Sequence, residues 1–265
     1  MKQKLIIGRY LPYDSFVHRL DPRAKLLAAI SFIGIIFFAN NWQTYSVLAL
    51  VVLLGIYLSK VPFDYFIKGV RPMLTLFIFT AMLQILFTPG RTTYFSIWFI
   101  SVSKEGILNG LYIFLRFVLI IFMSILLTLT TEALRLTDAI EYFLTPFKKM
   151  NFPVHDLALM LSIGLRFVPT LMDEAEKIMN AQRARGMDFN EGSLMQRIQN
   201  FVPLLVPLFN SSFDRAFDLA TAMEARDYRG GKGRSKYRQL TWKKWDTIVL
   251  LSFVLVFFIV LSLSS

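Results

Sequence analysis

Residues 106–131 read GILNGLYIFLRFVLIIFMSILLTLTT, 26 positions with a single charged residue, Arg116. A bilayer core about 30 Å thick is crossed by roughly 20 mostly apolar helical residues, so this stretch reads as a membrane span. Its surroundings agree. The 265-residue chain is 55% hydrophobic, has a mean hydropathy of +0.52 and carries 26 Phe, which is far more apolar than an ordinary globular domain. Upstream, Ala24–Asn40 and Trp42–Ser59 form two further candidates, parted by the polar pair Asn40-Asn41 that reads as a tight hairpin, and Pro72–Thr88 is a third. Downstream, Asp246–Leu263 closes a set of five. The first 25 residues hold six Lys/Arg and no apolar run, so no cleavable signal peptide is expected.

The basic residues orient the spans. Six precede the first, three (Lys60, Lys68, Arg71) separate the second from the third, and 17 fall between Glu132 and Lys244. Only Arg91 and Lys104 lie on the opposite side. The positive-inside rule then puts the N-terminus and the 132–244 region in the cytoplasm of a multi-pass cell-membrane protein, with the C-terminus outside. The net charge of +11 is explained by topology and by attraction to the lipid bilayer's anionic headgroups, not by nucleic acid. The expected organisation is a cytoplasmic segment 1–23, membrane helices in 24–131, a cytoplasmic coupling region 132–244 and a last membrane helix in 245–265. The fold class is all-α.

Between residues 132 and 244 three amphipathic helical segments are expected, at about Ala133–Met150, from Asn151-Phe152-Pro153 to Arg185, and from Gly192-Ser193 to just before Gly230-Gly231. Pro169 is expected to kink or break the second, and Pro203 and Pro207 to interrupt the third. The apolar pieces Leu157–Val168 and Phe201–Phe209 are each too short to span, which suggests interfacial helices or packing beneath the spans.

Chemistry is sparse. His18 and His155 offer no paired spacing for zinc, and Cys is absent, so no metal site and no thiol nucleophile is expected. Phosphate-cradling glycine loops and the nucleophile elbow are missing, so nucleotide hydrolysis has no frame in this chain. No cofactor and no catalytic residue is expected. The spans lack interior Asp, Glu, Lys and His, unlike ion-coupled carriers; the lone Arg116 is a functional candidate by default, and its place near the outer end of its helix favours a structural residue able to snorkel toward headgroups. What the sequence does repeat is a helix end: Ala184-Arg185-Gly186 and Ala225-Arg226-Asp227, 41 residues apart. A small residue followed by the five-donor fork of Arg suits insertion into a groove and pairing with a carboxylate, in the manner of a coupling helix.

These motifs, with Tyr10, Pro12, Asp14-Ser15, His18-Arg19-Leu20-Asp21-Pro22-Arg23, Lys25, Thr130-Thr131, Pro146, Leu165-Arg166-Phe167-Val168-Pro169 and Ala181-Gln182-Arg183-Ala184-Arg185-Gly186, give a chain that resembles the transmembrane T-component of energy-coupling factor transporters over nearly its whole length. The resemblance also covers Gly8-Arg9. It implies a non-catalytic subunit linking two ABC-type ATPases, which bind ATP and Mg, to a substrate-binding membrane S-component for uptake of a vitamin or similar micronutrient. Arg185 and Arg226 match the family's two docking arginines. Asp227 departs from the common Gly, which points to two non-identical ATPases. For the apolar faces bearing Leu134, Phe143, Phe147, Phe201, Phe213 and Phe217, contact with the S-component and packing of the chain against itself both stand open. Two other classes are weighed. An integral-membrane enzyme of lipid or peptide processing would draw on Asp138, Glu141, His155 and Asp156, and a conventional ABC permease would show one coupling helix per chain.

Overall fold

The computed structural model describes residues 10–90, 92–97, 100–150, 153–187, 189, 193–228, 230 and 239–264. Gly8, Arg9, Arg91, Asn151, Phe152, Gly192 and Gly231, all used above, lie outside the described residues. The chain is helical: α1 Phe16–Arg19, α2 Pro22–Ile36, α3 Trp42–Ser59, α4 Phe63–Val70, α5 Leu74–Phe87, α6 Lys104–Thr130, α7 Ala133–Leu144, α8 Val154–Ala184, α9 Leu194–Glu224 and α10 Lys244–Ser264. The exception among the described residues is an antiparallel ribbon, β1 Thr93–Ile97 with β2 Ile100–Ser103. Two compact units result, one from 1–140 with 239–265 and one from 141–238.

Five helical runs are long and apolar enough to cross a membrane: Trp42–Ser59, Phe63–Phe87, Lys104–Thr130, Val154–Ala184 and Lys244–Ser264. Four of these runs coincide with the expected second to fifth spans, and the other is α8, whose helix runs through Pro169 without cutting short the apolar Leu157–Val168 piece. The expected first span is α2, α-helical over 15 residues to Ile36 and carried on by a tightened last turn in which Phe37, Phe38 and Ala39 donate to the carbonyls of Gly34, Ile35 and Ile36. Pro203 and Pro207 likewise lie inside a continuous α9. Each proline forfeits one backbone donor, and the flanking turns carry the helix past it.

In the first unit the core is built where α2, α3, α6 and α10 meet, with Phe32, Ile36, Leu48, Val52 and Val260 almost fully buried and Phe66 of α4 among them. Apolar helices gain little from each other in lipid, so close packing has to hold them. The α5–α6 pair shows how: a Cβ on Gly110 would sit 2.9 Å from the Ala81 carbonyl oxygen, and one on Gly106 would sit 3.0 Å from that of Ile85. Arg116 clamps the α2–α3 turn. Its guanidinium donates to the Ala39 carbonyl at 3.3 Å and to the Tyr45 hydroxyl at 3.2 Å, and stacks over Phe37.

A buried polar node ties the chain's two ends together. The Asp21 carboxylate caps α2 by accepting from the Arg23 N–H at 2.8 Å and takes two 3.0 Å bonds from the Arg23 guanidinium. Asp246, fully buried, accepts from the backbone N–H of Asp21 at 2.8 Å and of Lys243 at 2.7 Å. Lys25 donates to the Thr130 carbonyl at 2.7 Å, and Arg23 also reaches the Leu240 carbonyl and lies over Trp242. Beside the node, His18 donates from Nε2 to the Leu11 carbonyl at 3.0 Å, which leaves Nδ1 to accept from the Ser15 hydroxyl at 2.7 Å. That is the neutral imidazole, and burial pushes the His18 pKa down.

Candidate functional site

The second unit is two 31-residue helices, α8 and α9, each ending at an arginine. Gly186 takes φ +85° and donates to the Arg183 carbonyl at 3.0 Å, while Met187 donates to the Gln182 carbonyl at 3.0 Å. Asp227 takes φ +55° and donates to the Glu224 carbonyl at 2.9 Å, while Tyr228 donates to the Met223 carbonyl at 3.1 Å. These are the paired bonds of a Schellman cap, formed twice on the same frame. Asp227 therefore occupies the left-handed position that Gly186 fills, at some conformational cost that a short polar side chain tolerates better than most.

Both caps present Arg185 and Arg226 in the same way. Each arginine sits just before the left-handed residue, each is exposed, and each follows an exposed alanine, Ala184 or Ala225. Among the described residues neither guanidinium has a hydrogen bond or an ion pair. Their immediate settings differ in charge. Around Arg185 the neighbour is Arg183, which lies over the Phe189 ring; around Arg226 the neighbours are Glu224 and Asp227.

The helices meet at a polar contact that sequence reading passed over. Arg215 of α9 donates to Glu174 of α8 at 2.7 Å, and Ser211 accepts from the same guanidinium at 3.3 Å. Glu174 and Arg215 are 41 residues apart, the spacing of the two arginine motifs. Each arginine thus lies 11 positions beyond its helix's member of the pair, an arm of about 16 Å at 1.5 Å per residue. That shared spacing was the available signal.

Of the apolar candidates, Phe213 and Phe217 are 60% and 71% exposed and fall on one α9 face with Met195, Val202, Val206 and Phe209, all exposed. At 100° per residue these positions stay within a stripe about 80° wide over some 33 Å. Phe201 points elsewhere, roughly 120° from Phe213, and its ring lies 5.7 Å from that of Phe189. Leu134 and Phe143 are half-buried and belong to different units, Phe143 packing against Tyr142. Phe147 is exposed, in the 3-10 helix Thr145–Met150 that carries the first expected segment on from Leu144 to Met150. Of the residues an enzyme would use, His155 and Glu141 are brought together, with His155 Nδ1 3.7 Å from the Glu141 carboxylate, and no group of three or more His, Asp or Glu able to hold a metal occurs among the described residues.

The fold and the two matched, arginine-tipped helix ends define a helical, multi-pass membrane protein. The family model described as CbiQ, cobalt transport protein, matches residues 14–237. The chain is 55% identical to the energy-coupling factor transporter transmembrane protein EcfT of Lactococcus lactis subsp. cremoris, over 96% of each chain. It is 54% identical to that of Listeria innocua, over 95% of each, and 50% identical to that of Bacillus subtilis, over 97% of each. The chain belongs to this CbiQ family, as an energy-coupling transmembrane subunit of an energy-coupling factor transporter, and is not an enzyme.

Proposed function

We propose that Arg185 and Arg226 are the two points at which this subunit docks into a pair of ABC-type ATPases, and that α8 and α9 carry the ATPases' motion to a substrate-binding S-component. The observation that carries this reading is the duplicated cap: two exposed arginines, without partners among the described residues, held on the same backbone frame at equal distance from the Glu174–Arg215 contact. A guanidinium on a rigid helix end is suited to bidentate pairing with a carboxylate in a groove. Nucleotide and Mg belong to the ATPases. When those close, the arms move with them.

The two ATPases are non-identical. Supporting this is the charge at the two ends, two arginines and no acid over residues 182–187 against one arginine with two acids over 223–228. Identical sockets would meet opposite electrostatic surroundings. The S-component lies on the α9 stripe that includes Phe213 and Phe217, an exposed apolar surface of a length fitted to a helical partner. The side bearing Arg185 and Arg226 is cytoplasmic, with the N-terminus, and the C-terminus is outside, as the distribution of Lys and Arg supports.

The test is Arg185→Glu combined with Arg226→Glu in cells expressing the full transporter. Uptake of the transported micronutrient is expected to be abolished, with the variant still inserted in the membrane and its thermal unfolding unchanged, since both sites are exposed. Normal assembly with the ATPases together with normal uptake would overturn the reading.

A further inference from the structure

Between α1, α2, α3, α6 and α10 of the first unit lies a cavity of about 140 Å³. Its wall is overwhelmingly hydrocarbon, with Val17, Leu54, Met123, Leu126 and Phe253 prominent. The polar residues on it are Lys25 and Thr130 at the end where α2 begins and α6 finishes, and Ser252 on α10. Leu54 is 54% exposed and Ser252 is exposed, so the cavity opens on the faces of α3 and α10, the same faces that turn other apolar side chains outward.

Three physical points identify what fits there. Apolar cavities of roughly this size stay dry and accept hydrocarbon. The solvent at the mouth is the bilayer, because α3, α6 and α10 are membrane helices. Lys25 is only 7% exposed and its ammonium donates to one group, the Thr130 carbonyl, although it has three N–H bonds to give. The nearby carboxylates are engaged elsewhere, Asp21 by Arg23 and Asp246 by the N–H groups of Asp21 and Lys243. Arg135 adds a second positive charge close to Lys25, paired with Glu132 at a loose 3.6 Å.

We propose that this cavity is a binding site for one anionic phospholipid, with an acyl chain in the apolar cleft between α3 and α10 and the headgroup phosphate accepting from Lys25. The site sits against the node that joins the N-terminal motif to α10, so a bound lipid would brace α1 and α10 together. The occupant is selected by charge at one end and by hydrocarbon at the other.

Native mass spectrometry of the full-length detergent-purified chain, stripped of lipid and then titrated with dioleoyl phosphatidylglycerol, dioleoyl phosphatidylcholine or inorganic phosphate, tests this. One phosphatidylglycerol per chain is expected, retained at least about tenfold better than phosphatidylcholine, whose phosphate could take the same bond but whose choline cation would be held against the positive charges of Lys25 and Arg135. Lys25→Met is expected to remove that preference, and Ser252→Phe, which leaves Lys25 in place and puts a ring at the mouth, to reduce retention of both lipids. Equal retention of the two lipids by the unaltered chain would overturn the proposal. So would undiminished phosphatidylglycerol binding by Ser252→Phe, a result that counts even if Lys25→Met fails to fold. Displacement of phosphatidylglycerol by inorganic phosphate at matched concentration would also overturn it, because the hydrocarbon end would then contribute nothing.

Discussion

The first unit encloses Arg23, Lys25 and Asp246, and the second holds Arg185 and Arg226 out. Arg23 is buried, gripped by Asp21 through two 3.0 Å bonds and covered by Trp242. Arg185 and Arg226 stand exposed at helix ends with no partner among the described residues. The same side chain thus serves cohesion in one place and reach in the other, and the difference lies in what surrounds it. A buried guanidinium must have its acceptors inside the fold, whereas an exposed one loses little by waiting for them in another molecule.

Mutations can break that contrast. The largest effect is expected from Asp246→Ala, which strips two buried backbone N–H groups of a charged acceptor, at a cost of about 3 kcal/mol or more. Thermal unfolding of the detergent-purified protein should show a clear loss of stability, whereas Arg185→Ala should leave it unchanged. Next comes the contact between the arms. Glu174→Gln is expected to lower uptake several-fold without loss of ATPase association, and the exchange Glu174→Arg with Arg215→Glu to recover part of it; a Glu174→Gln transporter with full uptake would show that the crossing transmits nothing.

Acid provides a gentler probe of the first unit. The folded pKa of His18 lies below the ordinary 6.5, so its contribution to stability is complete above 6.5 and fades as pH falls through the folded value. Unfolding midpoints measured from pH 7.5 down to 5 should decline, and less so in His18→Gln. The smallest effect concerns the caps. Asp227→Gly is expected to stabilise the α9 end by about 0.5–1 kcal/mol, since glycine adopts positive φ freely, with uptake retained. Melting of the two variants side by side, Asp227→Gly and Gly186→Ala, should move in opposite directions.

Much of this was legible in the residues. The span Trp42–Ser59 is bounded in the fold as the polar pair Asn40-Asn41 and the following Lys60 suggest, and Arg116 does carry a structural load at a helix turn. The duplicated arginine motif announced matched helix ends. At Ala24–Asn40 composition gave the run but not its winding, which tightens after Ile36 as Phe37, Phe38 and Ala39 donate three residues back. The prolines do not break their helices, since the turns around Pro169, Pro203 and Pro207 continue past the missing donor. Asp227 looked like a departure from the repeat and instead keeps its geometry, so the asymmetry of the two ends is electrostatic. The Glu174–Arg215 contact depends on how two helices cross, and its trace in the sequence is the 41-residue spacing it shares with the arginine motifs.

The eleven-residue arm has a consequence of its own. Eleven positions make three helical turns with about 20° left over, so Arg185 comes round nearly beneath Glu174, and Arg226 nearly beneath Arg215. One residue inserted into either arm would lengthen it by only about 1.5 Å yet swing its arginine through about 100°, off the side on which the proposed docking would take place. Lengthening an arm is thereby forgiven far less than substitution of the residues between its arginine and the Glu174–Arg215 contact. The angular phase of the two helices, more than their length, is what this subunit has to keep.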